Sequence, residues 1–340
     1  MRRKVLVLLS VASLVISIII GGCSEVEKVA IPVKTEKYPE RPITVIVPYS
    51  PGGGLDLTIR SLEKFAIQHL GQPLVIINKP GSAGAIGWNE TVAAPTDGYT
   101  MGATAIDMLL LSLYDTGKYN YVTALSPIAQ VTALPMLLAV QSGQPYQTLN
   151  ELVEYEKKHP GKIKFGNVGT GSFGHVLCEM LNREAGINIE QVPFSGGGET
   201  IPALLGGHVQ LIFINPVSIK EHVKNGTVRI LAVTGERRMA DPVFAHVPTL
   251  KEQGLNITID NWQGIAVPKE TPVAIKNKLA EGFKAIINDP EFKENMERVG
   301  NQVEYLGPQE SVAKWLADSQ KLQKTLQESG ILEQIKTQKK

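Results

Sequence analysis

Four glycine-rich stretches share one grammar: Pro51-Gly52-Gly53-Gly54, Gly81-Ser82-Ala83-Gly84, Gly169-Thr170-Gly171-Ser172-Phe173-Gly174 and Ser195-Gly196-Gly197-Gly198. Each follows an apolar run and leads into a segment of helical spacing. Glycines let a backbone turn tightly and aim several N–H groups at one spot, and a helix start adds roughly half a positive charge there. Such a loop holds an anion without any lysine. A phosphate and a carboxylate fit it equally. One turn of this kind is ordinary in an α/β protein, but four, divided between two stretches of chain, favour a shared site in a cleft.

Two side chains near these loops have a double reading. Asp56, in the first turn after the Pro51–Gly54 loop, is favoured by the helix dipole yet would repel an anion in the same cradle. Either it turns back to tie up the Gly52–Gly54 amides, which suits a simple carboxylic acid, or it faces an amine or hydroxyl on the ligand. The first is the preferred reading. His175 opens the segment after Gly174; it lines the cleft as a donor, or its ring is satisfied by backbone or water.

Enzyme chemistry finds little support. Gly169–Gly174 satisfies G-x-G-x-x-G after a strand, but the acidic residue that would hold a ribose is missing at the end of the next strand, where Pro193-Phe194-Ser195 stand and Glu190 lies at the beginning. Neither Gly117-Lys118 nor Gly161-Lys162 continues as a P-loop, and no serine sits in a hydrolase elbow. The 6 histidines are scattered without metal-ligand spacing. Cys178, in "HVLCEML", reads as a buried small hydrophobe. Neither a catalytic residue, a metal nor a cofactor is expected.

The elements that must position these loops alternate. "ITVIVPY" and "PLVIIN" read as strands, with Leu55, Ile59, Leu62, Ala66 and Leu70 recurring at helical spacing between them and Gly71 as the stop. A helix through Trp88 and the strand "YTMGATA" complete βαβαβ, an order that builds a parallel sheet. The grammar repeats in "KIKFGNV", "HVLCEMLNREAG", "IEQVPF", "TIPALLGGHV" and "QLIFIN". Two long apolar segments, "SPIAQVTALPMLLAV" and "NITIDNWQGIAVP", join the runs. The expected architecture is α/β and periplasmic-binding-protein-like: two α/β lobes joined by two crossing segments, a type II Venus flytrap. Residues 38–138 and 262–340 form the first lobe and 139–261 the second. Amphipathic helices are expected over Pro272–Asn288 and Glu310–Ser329.

The first residues read as an export signal over 1–22: Arg2, Arg3 and Lys4, an apolar run from Val5 to Ile20, then Gly21-Gly22-Cys23. Ile20–Cys23 resembles a bacterial lipobox, with Cys23 lipidated and 23–37 a tether. Acylation of Cys23 would leave Cys178 without a disulfide partner. Losing three basic residues from 34 leaves 31 against 33 acidic ones, a net of −2. Such a chain has no electrostatic claim on nucleic acid.

In order along the chain, "YPERPITVIVPYSPGGGLD", "NKPGSAGAIG", "PTDGYTM", "GTGSFGH", "VPFSGGGETIPALLGGHV" and "WQGIAVPKETP" resemble the substrate-binding proteins of tripartite tricarboxylate transporters, the Bug family. The likeness runs from Tyr38 to about Lys324. It implies a hinged, monomeric protein that delivers a small carboxylate to membrane permease subunits, anchored through Cys23; presentation of the ligand to a membrane sensor kinase is the alternative. In the family two loops hold the ligand carboxylate, and they map to Tyr49–Asp56 and Gly169–His175.

The candidate site is therefore Tyr49, Ser50, Gly53, Gly54 and Asp56, with Ser82, Ala83 and Thr104 at the next strand ends. From the second run come Asn167, Gly169, Thr170, Gly171, Ser172 and His175, then Ser195, Gly196, Gly197 and Asn215. Thr170 and Ser172 are expected to supply hydroxyls, and Gly53, Gly54, Gly171 and Gly197 backbone N–H groups. Two positions depart from the resemblance. Leu55 stands where a small hydroxyl residue is common, and Asn215 where an aspartate is, the latter favouring a more anionic ligand.

Overall fold

The chain builds two sheets, and its order of strands explains how. In a computed structural model that describes residues 37–114 and 118–338, the strands are β1 (Ile43–Val47), β2 (Leu74–Asn78), β3 (Thr100–Ala105), β4 (Leu125–Pro135), β5 (Leu137–Gln141), β6 (Lys164–Asn167), β7 (Glu190–Pro193), β8 (Leu211–Ile214), β9 (Val228–Val233), β10 (Asp260–Pro268) and β11 (Val303–Leu306). One sheet runs β11-β4-β10-β3-β1-β2 and the other β7-β6-β8-β5-β9. The described residues fall within one compact unit. The signal sequence, Cys23 and the tether up to residue 36 lie outside the described residues.

Each sheet has a three-stranded parallel unit, β2-β1-β3 and β7-β6-β8. The alternating strand–helix grammar accounts for these. The remaining strands pair antiparallel: β10 with β3 and β4, β11 with β4, and β5 with β8 and β9. Both sheets are thus mixed, not purely parallel. The reason lies in the joining segments, which enter a sheet directly from the other lobe without a crossover helix.

The two crossings are stitched together at Thr234. β4 and β5 are one extended run that changes sheets at Met136, and the return from β9 reaches β10 through residues 234–259. Thr234 is fully buried. Its Oγ1 accepts the Met136 N–H at 2.9 Å and donates to the Ile259 carbonyl at 2.6 Å, while its own N–H donates to the Met136 carbonyl at 3.0 Å.

Periodicity placed the buried faces well. Leu55, Ile59, Leu62, Ala66 and Leu70 are all buried, though the helix they suggest is broken into Gly54–Arg60 and Glu63–Leu70. Ser61 sits at the break and its hydroxyl donates to the Thr58 carbonyl at 2.6 Å, a local bond that competes with the helical ladder. The amphipathic helices span Val273–Asn288 and Pro308–Glu328. Beyond them Ile331–Gln338 reaches the second-sheet side, where Gln334 Nε2 donates to Glu179 at 2.8 Å.

Candidate ligand-binding site

The loop after β1 is held by its own helix. Asp56 is buried; its Oδ2 accepts the Gly52 N–H at 2.8 Å and Arg60 Nε at 2.9 Å, and its Oδ1 accepts Asn78 Nδ2 at 2.8 Å. Asn78 Nδ2 also donates to the Tyr49 carbonyl at 2.9 Å. Burial acts to raise the Asp56 pKa, but the bonds from Arg60, Gly52 and Asn78 outweigh it and hold the carboxyl below the ordinary aspartate range. Of the two readings of Asp56, this geometry is the first: the carboxylate faces back into the loop.

The loop after β6 is shaped in the same way. Asn167 Oδ1 accepts the Gly169 N–H, and His175 Nδ1 accepts the Gly171 N–H, both at 2.8 Å. The ring proton of His175 therefore lies on Nε2, which faces Glu179 Oε1 at 3.5 Å. Burial acts to raise the Glu179 pKa, but bonds from His175 and Gln334 hold it below its usual range. Ser172 is fully buried and caps the helix Phe173–Ala185, its Oγ accepting the His175 N–H at 3.3 Å. Ser172, His175 and the Gly171 N–H thus support the loop from within, so the hydroxyl expected of Ser172 is turned to the helix.

Across the cleft the loops of the two lobes touch. The Ser50 N–H donates to the Ser195 carbonyl at 3.3 Å, and the Tyr114 hydroxyl to the Gly171 carbonyl at 3.1 Å. A Cβ on Gly53 would lie 3.2 Å from the Gly197 nitrogen, and one on Gly198 would fall 1.9 Å from the Pro51 carbonyl oxygen. Here the glycines permit close approach of two backbones, a second use beside presenting amides.

Between these contacts lies a cavity of about 70 Å³. Tyr49, Gly53, Gly54, Asn167, Gly197 and Asn215 of the candidate set line it. Ser82, Ala83, Gly169, Thr170 and Ser195 line a more open neighbouring cavity of about 680 Å³. Ser50, Asp56, Thr104, Gly171, Ser172, His175 and Gly196 belong to neither wall; Thr104, for instance, is buried in the sheet opposite Gly264 of β10.

The inner cavity also has walls that the sequence reading passed over. Asp107 is buried, follows β3 and accepts the Phe173 N–H of the other lobe at 2.8 Å. Burial raises its pKa above the ordinary value in spite of bonds from Phe173 and Tyr49. The Tyr49 hydroxyl, shared with the Ala83 carbonyl at 3.2 Å, is pushed well above its usual pKa by burial and then by the Asp107 charge. Asn261 and Gln263 of β10 complete this side. A signal existed for Asn261 and Gln263, a polar pair in the apolar crossing segment.

Residues 58–331 match the model of the tripartite tricarboxylate transporter family receptor. The chain belongs to this family. Among solved structures, the receptor is similar to periplasmic binding protein BugD, at 31% identity and a TM-score of 0.82, covering 86% of this chain and 99% of that one. An R. palustris protein solved with adipate is 27% identical, with a TM-score of 0.81 over 86% and 99% of the two chains. MatC of Rhodopseudomonas palustris, solved with bound malate, is 26% identical, with a TM-score of 0.79 over 84% and 99%. The receptor is accordingly a two-lobed, extracytoplasmic solute-binding protein and not an enzyme.

Proposed function

We propose that the receptor captures a small carboxylate in the cavity between its lobes and delivers it, as a monomer anchored through lipidated Cys23, to the permease subunits of a tripartite tricarboxylate-type transporter. The carrying observation is the position of the cavity. It lies between the loops that follow β1 and β6 and faces the start of the helix Phe173–Ala185, where helix charge and backbone N–H groups favour an anion. In this reading Tyr49, Gly53, Gly54, Asn167, Gly197 and Asn215 meet the ligand. Asp56, Gly171, Ser172 and His175 hold the loops in shape. The adipate and malate in the two R. palustris structures support the class of ligand.

Closure of the lobes about Met136 and Thr234 would bury the acid and offer the permease a surface that the open form lacks. The ligand favours that form only as far as it binds it better. A thermal-shift screen against mono-, di- and tricarboxylates, amino acids and phosphates tests the reading. A ligand at ~100 times its Kd adds ~2.7 kcal/mol of apparent stability. A rise with carboxylates is expected; a rise with phosphates or nucleotides alone would overturn it.

A further inference from the structure

Resting on the carboxylate reading, we infer that the acid this receptor takes also carries a protonated amine, held by Asp107 and Asn261. Asp107 is the charged residue of the inner wall; no lysine, arginine or histidine lines that cavity. The Phe173 N–H and the Tyr49 hydroxyl bond this carboxyl, and its two oxygens have capacity for further donors. Burial already disfavours the ionised form of Asp107, and a ligand of purely negative charge would add to that cost with no cation beside it.

Asn261 gives the second, independent sign. It is 6% exposed. Its Nδ2 donates to Asn215 Oδ1 at 3.1 Å and to Met136 Sδ at 3.5 Å, which fixes the amide so that Oδ1 is its remaining acceptor. That oxygen is buried and has no partner among the described residues. A buried acceptor without a donor is rare in native proteins. The wall therefore presents one acceptor without a donor and, beside it, a carboxyl with capacity to spare. An ammonium group supplies three N–H bonds and the compensating charge together. A hydroxyl would satisfy Asn261 and leave the Asp107 charge unanswered.

The carboxylate end of the same ligand meets the opposite chemistry. With its oxygen taken by Asn261, Asn215 has its Nδ2 left to donate, and Gly174 at the helix start lines the same space. About 70 Å³ admits a compact molecule.

The test is calorimetric titration of the purified receptor with two matched series: butyrate, 2-hydroxybutyrate and 2-aminobutyrate; then succinate, malate and aspartate. The amino member of a series is expected to bind at least tenfold more tightly than its unsubstituted acid. Asp107→Asn should cut that preference at least tenfold, and Asn261→Ala should lower affinity for the amino member more than for the unsubstituted acid. Unsubstituted acids binding as tightly as amino ones would overturn the inference and leave the carboxylate reading standing. So would a preference unchanged in both variants. Binding of butylamine as tight as that of 2-aminobutyrate, or no binding by any acid, would overturn the carboxylate reading itself. If Asp107→Asn fails to fold, the wild-type series and Asn261→Ala still decide.

Discussion

Gly54 and Asn215 face each other across the two lobes so closely that a Cβ on Gly54 would stand 2.2 Å from Asn215 Nδ2. Gly54 opens the helix after β1 and Asn215 follows β8, so the contact joins the two sheets' loops. Gly54→Ala should therefore act on closure and little on folding. Ligand affinity is expected to fall tenfold or more by calorimetry, with the melting temperature of the ligand-free receptor nearly unchanged. Wild-type affinity in this variant would show that the lobes need not come this near.

Asp56 and Asp107 should respond to pH in opposite senses. The folded-state pKa of Asp56 is depressed, so its stabilisation is present above the unfolded value of about 3.9 and is lost as pH falls through the folded value. Asp56→Ala should cost about 2 kcal/mol at pH 7, and the gap from wild type should shrink in acid below about pH 4.

For Asp107 the folded pKa is raised, so its ionisation penalises the fold increasingly as pH climbs from about 3.9 through the folded value. Asp107→Asn keeps an oxygen for the Phe173 N–H and removes the charge. Without ligand, this variant should melt above wild type at pH 7 and lose that advantage near pH 4. A melting temperature lower than wild type at both values would contradict the account.

Thr234→Val keeps the shape of the crossing point and deletes its hydroxyl. The Met136 N–H and the Ile259 carbonyl then lose a buried partner. A loss of about 1–3 kcal/mol is expected, measured by urea unfolding. A loss below ~0.5 kcal/mol would mean that water or a backbone shift replaces those bonds.

Much of the fold was legible because burial follows period. The apolar spacing of Leu55 to Leu70, the stop at Gly71 and the two crossing segments all reflect local chemistry. Antiparallel pairing of β10 and β5 was not legible, since strand direction depends on where the chain returns from. The site divides similarly. Glycine loops at strand ends are visible in sequence, and Asn215 was singled out by its departure from the family. The capping role of Ser172 was not legible because an N-cap and a ligand donor look alike in sequence; only geometry places its Oγ against the His175 N–H. Asp107 escaped because one acidic residue after a strand carries no spacing pattern, and its meeting with Phe173 joins residues 66 positions apart.

The most direct test of carboxylate capture is a crystal structure of the receptor with the acid that raises its melting temperature most. The ligand carboxylate is expected between the lobes, against Tyr49, Asn167, Asn215 and the Gly174 N–H. A ligand seated instead in the outer cavity lined by Ser82, Thr170 and Ser195, or away from both lobes, would contradict it.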